Sequence, residues 1–215
     1  MQSLIEQLES FNRKERFFLV GAALGNPSFR LAQSFRATLG PVFGIDVPDN
    51  AFVAMDYHLD WIHVAILLAG NDADSVHSNV PTVVTGTQED VDLLVAFKQG
   101  AITHLLLLEA KAETGWTNKQ TLSKSRRLRQ IFGANGLQHS NVAPHFALMS
   151  PRPPKRLDTS EWPNWMTRGG EPIWFKLSVP PGLRRVTRCD SNGMQSSTGR
   201  FSRDSRARKL SANWR

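Results

Sequence analysis

Apolar and polar positions alternate with two different periods along the chain. The densest apolar run, Ile102 and Leu105 to Leu108, reads as a strand covered on both faces. Upstream, Glu89 to Phe97 has the character of a second strand. Lys98-Gln99-Gly100 follows it, a tight connection that predicts an antiparallel hairpin. Helical spacing governs the N-terminal part. Leu4, Ile5, Leu8 and Phe11, then Phe17, Phe18, Val20 and Leu24, predict one helix or two broken near Asn12. Asn26-Pro27-Ser28 opens a further helix that Gly40-Pro41 stops. Pro48-Asp49-Asn50 opens a third, lined by Phe52, Met55, Leu59, Ile62, His63 and Ile66 as far as Gly70, with a strand over 56–68 as the competing reading. After a polar loop at 71–81, Thr82 to Thr85 suggests a short strand. Thr117 to Gln120 fits a capping box for a helix reaching about Phe132, and His145 to Met149 and Ile173 to Val179 suggest two more strands.

The run at 102–108 ends in Glu109, Ala110 and Lys111. Side chains alternate across a strand, so Glu109 and Lys111 project to one side and Ala110 to the other. If the hairpin pairs, Asp92 lies beside Glu109, and two carboxylates share a small space with an ammonium. Hard cations such as magnesium seek oxygens so placed. Asp90 shares the face of Asp92, whereas Glu89 does not.

Asp92 followed by two leucines, a hairpin, and then three leucines with Glu109-Ala110-Lys111 resembles the PD-(D/E)XK nuclease superfamily. Val91 stands where that family usually has proline. The resemblance spans residues 89–130 and implies a restriction-endonuclease-like α/β core, a mixed central sheet flanked by helices, here with a helical N-terminal region. It implies Mg²⁺, or Mn²⁺, held by Asp92, Glu109 and Ala110. It places Lys111 beside the attacking water and turns Gln120 toward the site, although Gln120 has an equal claim as the capping residue. Some members take a further acidic ligand from an N-terminal helix, where Glu15 would serve; the plainer reading of Lys14-Glu15-Arg16 is a solvated helix face.

Charge adds a partner. The 215 residues carry a formal +7, and residues 151–215 hold 14 Lys/Arg against 5 Asp/Glu. That asymmetry favours nucleic acid, and the nuclease resemblance implies DNA ahead of RNA, although a solvated basic tail accounts for the charge equally well. Lys119, Lys124, Arg126, Arg127 and Arg129 make the helix after the E-x-K motif a phosphate-facing surface. The length suits one nuclease-like domain over residues 1–182 and a basic extension over 183–215. In that extension Arg188, Phe201 and Trp214 are the residues through which it could be ordered rather than flexible. The single cysteine, Cys189, excludes an internal disulfide and a Cys-rich zinc site, and fits a cytoplasmic protein. Neither a secretion signal nor a membrane span is indicated. Oligomeric state is left open, a homodimer among the states allowed.

A rival constellation is Asp56, Asp60 and His63, which a helix would put on one face. Without an H-E-x-x-H spacing, two polar-face aspartates and a hydrogen-bonded histidine are the preferred account. The function expected is therefore metal-dependent hydrolysis of phosphodiester bonds. The alternatives are a nuclease-like nucleic-acid-binding or assembly module without activity, and a structural protein in which Glu109 and Lys111 form a rim ion pair.

Overall fold

The computed structural model describes residues 2–70, 76–86, 89–112, 115–180, 186–194, 196–197 and 200–202. Residues 183–185 and 203–215 of the expected extension, Trp214 included, lie outside the described residues, as do residues 71–75 of the expected loop. The chain divides into two units, Met1–Leu177 and Ser178–Arg215.

The first unit is α/β. Its helices are α1 (Leu4–Ser10), α2 (Glu15–Phe18), which continues as a π-helical turn over Leu19–Ala23, α3 (Gln33–Phe43), α4 (Leu59–Gly70) and α5 (Asn118–Phe132). Its strands are β1 (Phe52–His58), β2 (Asp90–Gln99), β3 (Ile102–Ala110), β4 (Val142–Ser150), β5 (Thr167–Arg168), β6 (Glu171–Pro172) and β7 (Trp174–Lys176). Five form one mixed sheet in the order β1-β2-β3-β4-β7, and β5 and β6 pair separately. β2 pairs antiparallel with both β1 and β3, whereas β3 to β4 and β4 to β7 are parallel.

The β2–β3 hairpin forms as its sequence suggests. Gly100, at φ +61, supplies the left-handed residue of the two-residue turn, a conformation that costs other residues a Cβ clash. Both faces of the sheet are covered. On one, Leu94, Ala96, Leu105, Leu107, Phe146 and Leu148 join residues of α1, α4 and α5. On the other, Val95, Phe97, Leu106, Leu108 and Met149 join Leu39 of α3. Double coverage is why β3 reads as an unbroken apolar run. Asp92 and Glu109 belong by alternation to the face on which α5 packs.

Several elements differ from expectation. The N-terminal segment breaks at residues 11–14, as one of its two readings had it. α3 starts at Gln33 rather than near Ser28 and runs through Gly40-Pro41 to Phe43. Pro41 is tolerated in the last turn, and the true stop is Gly44, left-handed at φ +68, whose N–H bonds the Gly40 carbonyl at 2.7 Å. The helix expected from Pro48 is instead the strand β1 passing directly into α4, because residues 52–58 gain a ladder with β2. Residues 82–85 adopt no strand, and the strand near Ile173 shortens to three residues. Among the described residues, no helix is long and apolar enough to cross a membrane.

In the second unit, β8 (Thr187–Cys189) pairs antiparallel with β9 (Arg200–Ser202).

Candidate active site

Strand ends and one helix start build the site. One step beyond the last pair of the β2–β3 ladder, Leu93 with Leu108, Asp92 faces Glu109. Asp92 Oδ2 accepts the Ala110 N–H at 2.6 Å, which fastens the carboxylate to the frayed end of the ladder. Thr117 caps α5, its Oγ1 accepting the Gln120 N–H at 3.4 Å and donating to Gln120 Oε1 at 3.3 Å. Thr121, Ser125, Leu128, Ile131 and Phe132 then bury one helical face, and Lys124 lies at the edge of that face.

A cleft of about 740 Å³ opens over these residues. Asp90, Asp92, Glu109 and Lys111 line it together with Lys119, Gln120 and Lys124, and Trp116, Phe146 and Leu148 supply an apolar wall. Asp92, Glu109, Lys111 and Gln120 are thus gathered in one space, while Ala110 does not line it. Trp116 is held by its indole N–H, which donates to Ser150 Oγ at 3.2 Å, and the Lys111 ammonium stands 5.9 Å from its ring centroid.

Glu109 is buried, and its partner is Lys124. The ammonium donates to Glu109 Oε1 and to the Asp90 carbonyl. The rim ion pair of the structural alternative, Glu109 with Lys111, is therefore absent among the described contacts, and Lys124, expected on a phosphate-facing surface, points inward. Burial pushes the Glu109 carboxyl up to about 7 from its ordinary 4.5. Lys124 opposes the rise and the Asp92 charge adds to it.

That shift has a consequence for stability. The folded chain holds the Glu109 proton more tightly than the unfolded chain does, so ionising it costs folding. The penalty is absent below about 4.5, grows as pH rises, and is complete above about 7. Glu109→Gln, measured in chelator, is expected to melt higher than the unsubstituted protein at pH 8 and to show no such gain at pH 4. A difference independent of pH would mean that folding leaves the Glu109 proton affinity unchanged.

The acidic edge continues onto β1, and cations of the N-terminal segment meet it. Lys14 Nζ contacts Asp90 Oδ2 at 2.5 Å, and Arg16 Nε lies 3.0 Å from Asp56 Oδ2. Asp56 is buried in a left-handed conformation, φ +50, where the β1–β2 ladder skips a pair. Burial raises its carboxyl above the ordinary range, Arg16 lowers it, and Asp90 and Asp92 raise it further. Glu15 is exposed and lines a neighbouring cleft, in keeping with the solvated-face reading rather than an extra ligand, while Lys14 and Arg16 on either side of it make the contacts.

The rival constellation does not assemble. Asp56 lies on β1, whereas Asp60 and His63 lie on α4, so no single helical face carries all three. Asp60 is a structural acceptor, bonded to Arg127 and to the N–H groups of Thr85 and Gly86 at 3.1 and 2.8 Å. This also corrects the basic helix. Arg127 is 5% exposed and turned into the protein, so it is no phosphate contact. Lys119, Arg126 and Arg129 are exposed, with Arg126 paired to Glu161 at 2.8 Å.

A hard divalent ion suits the donor set. The second oxygens, Asp92 Oδ1 and Glu109 Oε2, take no hydrogen bond among the described residues. Among the described residues no third acidic, histidine or cysteine side chain joins the group. Magnesium is commonly held by one or two carboxylates, with water and substrate phosphate completing its shell. Two side chains are therefore enough.

Sequence reasoning missed the pairing of Lys124 with Glu109, although the inward spacing of Thr121, Ser125 and Leu128 around Lys124 was the available signal. It also missed the contacts of Lys14 and Arg16, for which no local pattern existed. Compared with protein-family models, curated proteins and solved structures, the chain shows no match.

Proposed function

We propose that the chain is a metal-dependent nuclease that hydrolyses nucleic-acid phosphodiester bonds. The observation that carries this reading is the convergence of Asp92, Glu109 and Lys111 on one cleft at the end of the β2–β3 hairpin. The antiparallel hairpin, crossover helix and parallel strand also follow the order implied by the PD-(D/E)XK resemblance.

Asp92, Glu109 and the Ala110 main chain would hold Mg²⁺ or Mn²⁺. The bound ion would lower the pKa of a water and neutralise charge on the phosphate oxygens. Lys111, on the same strand face as Glu109, orients the nucleophile and stabilises it electrostatically. Lys124 answers the Glu109 charge before substrate arrives. Gln120 lines the cleft from the first turn of α5, and exposed Lys119, Arg126 and Arg129 offer cations to the flanking backbone. DNA is put ahead of RNA on the resemblance alone.

Metal dependence tests the reading. Cleavage of a phosphodiester substrate should require Mg²⁺ or Mn²⁺ and stop in excess chelator. Saturating Mg²⁺ should raise the melting temperature by roughly 5–10 °C through preferential binding to the native state. Cleavage that persists in chelator would move the active site elsewhere. Because Lys124 already neutralises Glu109, a second reading is a binding module of the same fold without activity; binding without cleavage across single- and double-stranded DNA and RNA would favour it.

A further inference from the structure

The second unit holds all of the chain's net charge. Ser178–Arg215 carries nine Lys/Arg against two Asp/Glu, an excess of +7 equal to that of the whole chain, while residues 1–177 carry 17 of each. Its described fold is a small hairpin. Asp190 closes the turn after β8, with Oδ1 accepting the N–H groups of Asn192 and Met194 at 2.9 Å each, and the Asp190 N–H bonds the Met194 carbonyl at 2.8 Å. Such a side-chain-closed turn fixes the strands that flank it.

The hairpin has two unlike faces. Arg188 stands opposite Phe201 in the register, so they share a face, and Val186 joins them by alternation. All three are exposed, Phe201 at 73%. Cys189 and its register partner Arg200 lie on the other face, where Cys189 is buried. A large ring turned to water costs free energy that a small hairpin gains nothing by accepting. Beside Phe201 and Arg200 lies a concavity of about 460 Å³, roomy enough for a planar base, also lined by Asp190, Ser191 and Gly193.

We propose that the β8–β9 hairpin is a binding site for single-stranded nucleic acid, with Phe201 stacking on a base and Arg188, on the same face, meeting the adjoining phosphate. Both halves of the site are required by that ligand. A polyanion answers the charge, and only an unpaired strand offers π-faces to the ring as well. An acidic protein would answer the charge and leave Phe201 without a stacking partner. The proposal stands on the hairpin alone and needs no cleavage.

The test uses the full chain in EDTA, with fluorescence anisotropy on a fluorescent dT 20-mer and on a blunt duplex of the same length. Phe201→Ala should weaken dT binding by roughly 10-fold, within the range of one lost base stack, and change duplex binding less than twofold. Phe201→Trp should restore it. Arg188→Glu should flatten the salt dependence by about one unit while the melting temperature holds. Unchanged dT affinity in Phe201→Ala, equal losses on both substrates, or no dT binding by the unsubstituted protein would each overturn the proposal. So would poly-glutamate competing as well as dT, which would make the surface a site for an acidic protein. Because these readouts are taken without metal, they stay separate from the fate of the nuclease reading.

Discussion

Asp92→Ala and Lys111→Ala are each expected to lower Mg²⁺-dependent single-turnover cleavage by roughly 10³-fold or more, with the fold intact. The two losses have different origins. Asp92 is fixed by the Ala110 N–H, so its removal takes away a preorganised oxygen, and metal affinity should fall with rate. Lys111 lines the cleft from the Glu109 side and touches no carboxylate among the described contacts, so its removal should spare metal binding and act on the chemical step. Isothermal titration with Mg²⁺ separates the two. Neither position lies among the fully buried residues, so both variants should melt within a few degrees of the unsubstituted protein. Cleavage that survives either substitution in folded protein would remove these residues from the mechanism.

The largest expected effect on stability lies away from the cleft. Arg127→Ala leaves the buried Asp60 carboxylate without its cation, and breaking one side of a buried pair costs about 3–5 kcal/mol. In a chain of this size that is a loss of roughly 10 °C or more in melting temperature. Asp60 also receives the amides of Thr85 and Gly86, so the pair pins the segment that leads into β2. Replacing both partners by apolar residues, as in Asp60→Leu with Arg127→Met, should recover part of the loss, since the uncompensated charge is what costs most. If Arg127→Ala instead melted normally and bound nucleic acid more weakly, Arg127 would be a phosphate contact after all.

The hairpin was legible because two local signals agreed there. A β3 run apolar on both faces has few alternatives to a central strand, and Gly100 suits the turn. That placed Asp92 beside Glu109 without tertiary information. Residues 52–70 were not legible in the same way: their apolar positions satisfy a helical period, and only the ladder with β2 makes the first seven a strand. The basic helix shows a further limit. Lys124, Arg126, Arg127 and Arg129 look alike in composition, yet one meets Glu109, one meets Asp60 and two stay outside. Which cation turns inward depends on carboxylates distant in sequence, Asp60 being 67 residues from Arg127.

β3 is bonded to one neighbour across a two-residue turn and to the other only after the long connection of residues 111–141. Short loops close early during folding and long ones late, because closure entropy grows with the length of chain to be ordered. Asp92 and Glu109 therefore come together while the chain is still assembling. Lys124 arrives only when the crossover helix docks, and on the ribosome that requires β4 to have emerged as well. Between those events the nascent hairpin carries two adjacent carboxylates without the Lys124 ammonium that pairs with Glu109 in the finished fold, so the moment of strongest attraction for a divalent cation falls before the molecule is finished.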